Sequence, residues 1–205
     1  MTIAIIGTGR MAEGLGRRLV KGGEAVSLCG RDAGKTETAA KRIGATAGRV
    51  ADATEAEVIV LAVPWRAAAD ALSAAGDVSG KIVVDITNPV GPDLTLALGT
   101  TTSAAEEIQR RIPKASVVKA FNTIFAELYG LALGPDDIPP QVPYAGDDKA
   151  AKDRVRAMIE AIGFEPIDAG PLRNARLIEP LALMTINFGY ALGQGRRISP
   201  RFVKY

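Results

Sequence analysis

Six consecutive residues near the start of the chain, Gly7, Thr8, Gly9, Arg10, Met11 and Ala12, have the types and spacing of a turn that holds a diphosphate. Glycine at 7 permits the tight turn, glycine at 9 lets backbone approach the anion, and the small Ala12 lets a following helix pack closely. The first turn of such a helix offers unpaired N–H groups and a partial positive charge to the phosphates. A glycine-rich hexapeptide is weak evidence by itself. Here an apolar run, Ile3 to Ile6, leads directly into it and a helical pattern follows it, which is the order the motif needs.

The next apolar run ends in Cys29, Gly30, Arg31 and Asp32. Nucleotide sites of this type place an acidic residue at that strand end, about 20 residues after the glycines, to hold both ribose hydroxyls, whereas an arginine accommodates a 2′-phosphate. Arg31 stands where the phosphate reader belongs, with Thr8 and Lys35 near enough in sequence to add donors. A planar guanidinium grips phosphate through paired charge-assisted bonds. The expectation is NADP(H) in preference to NAD(H). The competing reading makes Asp32 the ribose reader, displaced by one residue.

What the chain lacks narrows the chemistry. It has no histidine and one cysteine, Cys29. A Ser/His/Asp or Cys/His relay, the usual zinc sites and an internal disulfide are therefore excluded, and no metal site is expected. No side chain is singled out as catalytic. A bound cofactor has to supply the reaction, and hydride transfer asks the protein for alignment and dryness more than for an acid or base.

The elements that would position these residues alternate. Thr2–Ile6, Ala25–Cys29, Val58–Val63, Lys81–Ile86 and Ser116–Lys119 read as strands, without polar alternation and so covered on both faces. Met11–Lys21, Ala33–Ile43, Arg66–Ala75 and Ser103–Arg111 read as helices between them, which implies a parallel sheet with right-handed crossovers. Ser103 and Glu106 have capping-box spacing, and Gly163 falls just past the helical stretch Lys149–Ile162. Gly- and Pro-rich stretches at Asn88–Pro92 and Gly134–Pro143 read as loops, the first at a strand's carboxyl end, where open sheets place ligands. Strands near Val142–Ala145 and Glu165–Ala169 and a closing helix Leu172–Leu192 complete the pattern, with Leu181, Met184, Phe188 and Leu192 at helical spacing as core or dimer contact. The fold class is thus α/β: a Rossmann-type parallel sheet with helices on both faces and a small C-terminal α/β extension. The expected division is 1–135 for a nucleotide-binding domain and 136–205 for the smaller portion packed on it.

Composition sets the remaining bounds. Of 205 residues 47% are hydrophobic and 23% charged, within the soluble globular range, and the net charge of +2 contains no run of like charge to follow a nucleic-acid backbone. No stretch approaches the roughly 20 apolar residues of a membrane span, and the N-terminus opens as a strand and not as an export signal. The expectations are a cytoplasmic protein, a small-molecule redox acceptor as partner, no nucleic acid, no membrane, and a homodimer.

Several separated blocks resemble the NADPH:coenzyme F420 oxidoreductase family, whose members pass hydride between NADP and a deazaflavin, and also the reductase domain of the STEAP metalloreductases. They are the N-terminal turn with Gly30 and Arg31, then Val63, Pro64 and Trp65, then Lys119 to Thr123, and finally Asp168 to Leu172 with Asn174, Ala175, Arg176 and Glu179. The resemblance covers nearly the whole chain. It implies NADP as cofactor and coenzyme F420 as second substrate. It further implies that Thr8 and Arg31 hold the 2′-phosphate, that Arg10 and Met11 lie along the pyrophosphate, and that Val63, Pro64 and Trp65 line the nucleotide cleft. Asn88, Pro89 and Val90 with Phe121 and Asn122 would surround the nicotinamide. Asn122 departs from the deazaflavin enzymes, which carry histidine there, and Gly30 replaces a serine that adds a phosphate contact. A flavin, quinone, imine or metal chelate as acceptor, or a module that binds NADP(H) without turnover, therefore stay open as alternatives. Trp65 as cap packing and Asn122 as a turn residue are the plainer readings of those two positions.

Overall fold

The computed structural model describes residues 2–91, 93–134 and 137–205. Eight strands form one sheet among them: β1 (Thr2–Ile6), β2 (Ala25–Gly30), β3 (Thr46–Arg49), β4 (Val58–Leu61), β5 (Ile82–Asp85), β6 (Ser116–Lys119), β7 (Gln141–Gly146) and β8 (Glu165–Asp168). Their order is β3-β2-β1-β4-β5-β6-β7-β8, parallel from β3 to β6. The period of two along each strand divides the core. Ile3 and Ile5 of β1 and Val58 and Val60 of β4 join one apolar cluster, while Ala4, Ile6, Ile59 and Leu61 join the other. Helices α1 (Arg10–Lys21), α2 (Ala33–Ile43) and α5 (Lys149–Ala161) cover the first face with Leu15, Leu19, Ile43, Val155 and Met158; α3 (Ala68–Ala75) and α4 (Ala104–Arg111) cover the second with Leu72 and Ile108.

Local signals hold where side chains make them. Ser103 accepts a hydrogen bond from the Glu106 N–H at 3.2 Å and donates to its carboxylate at 2.7 Å, and Gly163 is left-handed at φ +75°. Other expectations need correction. Strand β3 escapes a search for apolar runs because Thr46–Arg49 is short, polar and mostly exposed at the sheet edge, pairing only with β2. Strand β4 stops at Leu61 and β5 at Asp85, and a 3-10 turn Trp65–Ala67 precedes α3. The sheet is not parallel throughout: β7 runs antiparallel to β6, and it claims Gln141, Val142 and Pro143 from the expected loop. The closing helix is broken into a 3-10 turn Leu172–Asn174, α6 (Ala175–Ile186) and a π turn Asn187–Ala191. The expected boundary at 135/136 and Pro92 of the first loop lie outside the described residues; β7 and β8 continue the same sheet beyond it.

One buried ionic cluster joins β5, β6 and α4 to the helix α6. The Lys119 ammonium, at the end of β6 and fully buried, donates to Asp85 Oδ2 at 2.8 Å and the Thr87 carbonyl at 2.6 Å, and pairs with Glu179 Oε1 of α6 at 2.9 Å. Glu179 in turn accepts the Ala104 and Ala105 N–H groups that open α4, at 3.0 and 3.3 Å, and Asp85 Oδ1 accepts the Thr87 N–H at 2.9 Å. Burial opposes the charge on Lys119, but Asp85 and Glu179 outweigh it and hold its pKa above the ordinary lysine value. A folded value above the unfolded one stabilises the fold fully below the ordinary lysine pKa of 10.5 and loses that contribution as pH climbs through the raised value. Urea unfolding followed across alkaline pH is expected to show stability falling only above that range. Glu179→Ala, which takes one of two carboxylates from a buried cation and strands two helix-end donors, is expected to lower unfolding free energy by about 3 kcal/mol.

Candidate functional site

The glycine turn has the build its sequence demands. Gly7 sits at φ +136°, where an added Cβ would lie 2.3 Å from the Ala62 carbonyl oxygen, and its N–H bonds the Cys29 carbonyl at 2.9 Å. Gly9 is the extended N-cap of α1, and an added Cβ there would meet no atom within 4 Å, so the helix end is open to an approaching anion. Ala12 is fully buried beneath it. The sharp turn thus aims the first N–H groups of α1 at space beyond the carboxyl ends of β1 and β4.

On one side of this turn lies a cavity of about 280 Å³, lined by Gly7, Thr8, Gly30, Arg31, Val63 and Pro64 with others. Arg31 is exposed at its edge and makes no hydrogen bond or ion pair among the described residues. Asp32 is committed elsewhere. Its carboxylate caps α2 by accepting the Lys35 N–H at 3.0 Å, which is the chief reason its pKa falls below the usual range, and it faces Lys35 Nζ at 3.7 Å. Arg31 is thus exposed and without a partner among the described residues, while the Asp32 carboxylate is engaged at the helix cap. Lys35 itself is highly exposed, paired with Asp32, and does not line the cavity. Trp65 likewise stays out of it, half-buried against the apolar cluster on the α3 face, so its plainer reading describes its position.

On the other side a cavity of about 300 Å³ takes in Arg10, Met11, Asn88, Asn122, Thr123 and Tyr190 among its lining. Asn88 and Asn122 clasp each other across the strand ends: Asn88 Nδ2 donates to the Asn122 carbonyl at 2.9 Å, and Asn122 Nδ2 donates to Asn88 Oδ1 at 3.0 Å. This spends the Asn122 donor side and leaves its buried Oδ1, with the buried Thr123 hydroxyl beside it in sequence, without a partner. Phe121 is fully buried in the left-handed region at φ +61°, a strained backbone that swings Asn122 and Thr123 toward the cavity; its ring packs in the core and does not line the site. Pro89 is also outside the lining, its carbonyl accepting the Ala97 N–H at 2.6 Å.

The cavity has walls that motif reasoning did not supply. Phe125 and Glu127 come from the loop and 3-10 turn after β6, and Ala182, Thr185, Ile186 and Tyr190 from α6 and the π turn. Of the residues expected as core or dimer contact, Met184 and Leu192 are more than half exposed, which removes the core reading for those two. The helical phase that put Leu181 and Met184 on one face carries Ala182 and Thr185 on the next, and that offset was the available signal. The Arg10 side chain turns to the Glu127 carboxylate, which Arg196 Nε also approaches at 3.1 Å. Burial raises the Glu127 pKa, but its own backbone N–H and the two guanidiniums outweigh this and keep the carboxylate ionised. Among the described residues no group of three or more His, Cys, Asp or Glu could hold a metal, and no helix is long and apolar enough to cross a membrane.

Comparison with known proteins agrees with this geometry. The family described as "NADP oxidoreductase coenzyme F420-dependent" matches residues 2–89, from β1 through the Asn88 loop. The F420-dependent NADP reductase of Methanothermobacter marburgensis is 33% identical over 91% of this chain and 92% of its own length. Metalloreductase STEAP3 of Rattus norvegicus is 34% identical over 88% of this chain, which spans only 36% of that protein. The crystal structure of a protein from Arthrobacter sp. FB24, described provisionally as an F420-dependent NADP-reductase, superposes with a TM-score of 0.87 over 98% of this chain and 99% of that one at 31% identity. The chain belongs to the coenzyme F420-dependent NADP oxidoreductase family.

Proposed function

We propose that the protein passes a hydride between NADP(H) and coenzyme F420 bound in the two cavities on either side of the glycine turn. The observation that carries this is Arg31, without a partner among the described residues at the strand end where a 2′-phosphate would lie, on the far side of an open helix N-terminus from a cavity walled by Phe125, Ile186 and Tyr190. The residues present fit the nucleotide: Gly9 leaves the diphosphate position clear, Arg31 has no anionic partner among the described residues, and the Asn122 Oδ1 is a buried acceptor awaiting an N–H. NADP supplies the hydride-carrying ring. The N–H groups opening α1 bind the diphosphate, Thr8 and Arg31 hold the extra phosphate, and the Asn88–Asn122 clasp fixes the floor on which the rings lie. Reduction of the deazaflavin takes one hydride from NADPH and one proton from solvent.

The 34% identity to STEAP3 favours a second reading in which a flavin or metal chelate is the acceptor. Mixing the protein with NADPH and oxidised F420 is expected to bleach the deazaflavin absorption band; NADPH oxidation only when free flavin or a ferric chelate is added instead would select the second reading. Arg31→Ala is expected to weaken NADPH binding by about ten- to a hundredfold, the worth of one or two charge-assisted bonds, while NADH binding holds. Titration of both nucleotides checks it, and equal losses for the two would overturn the role given to Arg31.

The protein acts, in this reading, in the cytoplasm, in keeping with a single buried and unpaired cysteine. It also self-associates. Leu177 and Met184, exposed at 70% and 55% on the outer face of α6, form an apolar stripe that a second copy would cover. Sedimentation is expected to give a dimer, and Met184→Glu a monomer.

A further inference from the structure

The rim of the Tyr190 cavity carries a charge arrangement that hydride transfer does not need. Glu127 stands between the guanidiniums of Arg10 and Arg196, and its side chain is 21% exposed against 66% and 40% for theirs. The carboxylate is covered and the cations reach outward. Arg196 also lies over the Tyr190 ring at 5.6 Å, and Tyr190 meets Phe125 edge-on at 5.8 Å, both rings lining the cavity. Two cations on one carboxylate leave one positive charge over. The local sequence adds to the surplus: from Pro180 onward the chain carries Arg196, Arg197, Arg201 and Lys204 and no acidic residue, and among the described residues Arg196 shares Glu127 with Arg10, Arg201 pairs with Glu165 at 2.9 Å, and Arg197 and Lys204 have no ion pair.

Most surface cations are simply solvated. Arg196 differs in being held: a carboxylate on one side and an aromatic face on the other orient its guanidinium beside the cavity mouth, so an incoming anion meets a group already placed. We propose that Arg196 reads an anionic group, a phosphodiester or carboxylate, carried on the side chain of the redox acceptor beyond its planar ring. Glu127 holds the guanidinium in place while the site is empty, and the acceptor's anion takes up the charge that Glu127 leaves unmatched. This rests on the reading that the cavity takes the acceptor. The other anion in reach is the dinucleotide's own diphosphate at the start of α1, beside Arg10.

The test compares coenzyme F420, whose ribityl chain ends in a phosphodiester and carboxylates, with the deazaflavin alcohol that bears the ribityl chain alone. Binding of each to the protein saturated with NADP⁺ is followed by fluorescence, and turnover with NADPH in parallel, for the native chain, Arg196→Gln and Arg196→Lys. The expected result is that Arg196→Gln raises Kd and KM for F420 by about tenfold, the worth of one charge-assisted bond, leaves kcat and both constants for the alcohol within about twofold, and is largely rescued by Arg196→Lys. The F420 constants should also rise with ionic strength while those for the alcohol hold. Equal weakening of both deazaflavins would show that Arg196 only shapes the wall, and weakening of NADP⁺ alone would show that it serves the diphosphate; either overturns the proposal. If both deazaflavins are reduced and Arg196→Gln changes neither, the inference falls and the F420 reading stands. If neither deazaflavin binds, both fall together.

Discussion

A lysine ammonium with no water to solvate it is the constraint around which the binding edge of this protein is arranged. Buried, it must spend its protons on protein acceptors or lose its charge. Lys119 meets that demand with a carboxylate from β5, a backbone carbonyl two residues further on and a carboxylate from α6. The acceptors come from the end of β5 and from α6, so satisfying one cation on β6 locks three segments in register. The Thr87 carbonyl immediately precedes Asn88, and the ammonium that anchors it therefore also places the asparagine clasp. Glu179 passes the constraint on by capping α4, which would otherwise present orphan N–H groups to an apolar interior.

With the edge so fixed, the glycine turn divides it into two chambers of unlike character. The chamber beside β2 ends at a cation with no partner among the described residues and a carboxylate already spent on a helix cap, which suits an additional phosphate. The chamber beside β6 is walled by Phe125, Ile186 and Tyr190 and floored by amide groups, which suits stacked aromatic rings. The strain stored at Phe121 belongs to the second chamber. A left-handed backbone at a bulky buried residue persists only because its ring is gripped by the core on every side, and it turns the two residues after it toward the ligand space.

The first chamber was legible in the sequence because its parts are local. Gly7, Gly9 and Ala12 act through backbone conformation and size, and Arg31 follows a strand at a spacing the fold dictates. The second chamber was legible only as isolated points. Asn88 and Asn122 could be named from their positions after strands, but their mutual clasp depends on the lateral pairing of β5 with β6, and the α6 wall depends on a helix arriving from the far end of the chain. The same limit hid the Lys119 cluster, whose members are separated by 34 and 60 positions' worth of chain and announce no spacing at all. Strand β3 was missed for a different reason: an edge strand has little to bury, so it carries no apolar run to find. The strand near Val142–Ala145 was legible but its antiparallel direction was not, because periodicity reports which face a residue takes and says nothing of strand direction.

Gly30 is held to glycine by its neighbours: a Cβ there would stand 2.2 Å from the Thr36 hydroxyl and 3.0 Å from the Thr8 methyl. The room is already taken by Thr36, whose hydroxyl donates to the Asp32 carbonyl at 2.7 Å and so helps secure the first turn of α2. Glycine and threonine here form a matched pair: the Thr36 hydroxyl fills the space a side chain at position 30 would need and braces the helix start. The bracing of α2 by Asp32 and Thr36 keeps the neighbouring carboxylate turned away from a second anion it would repel.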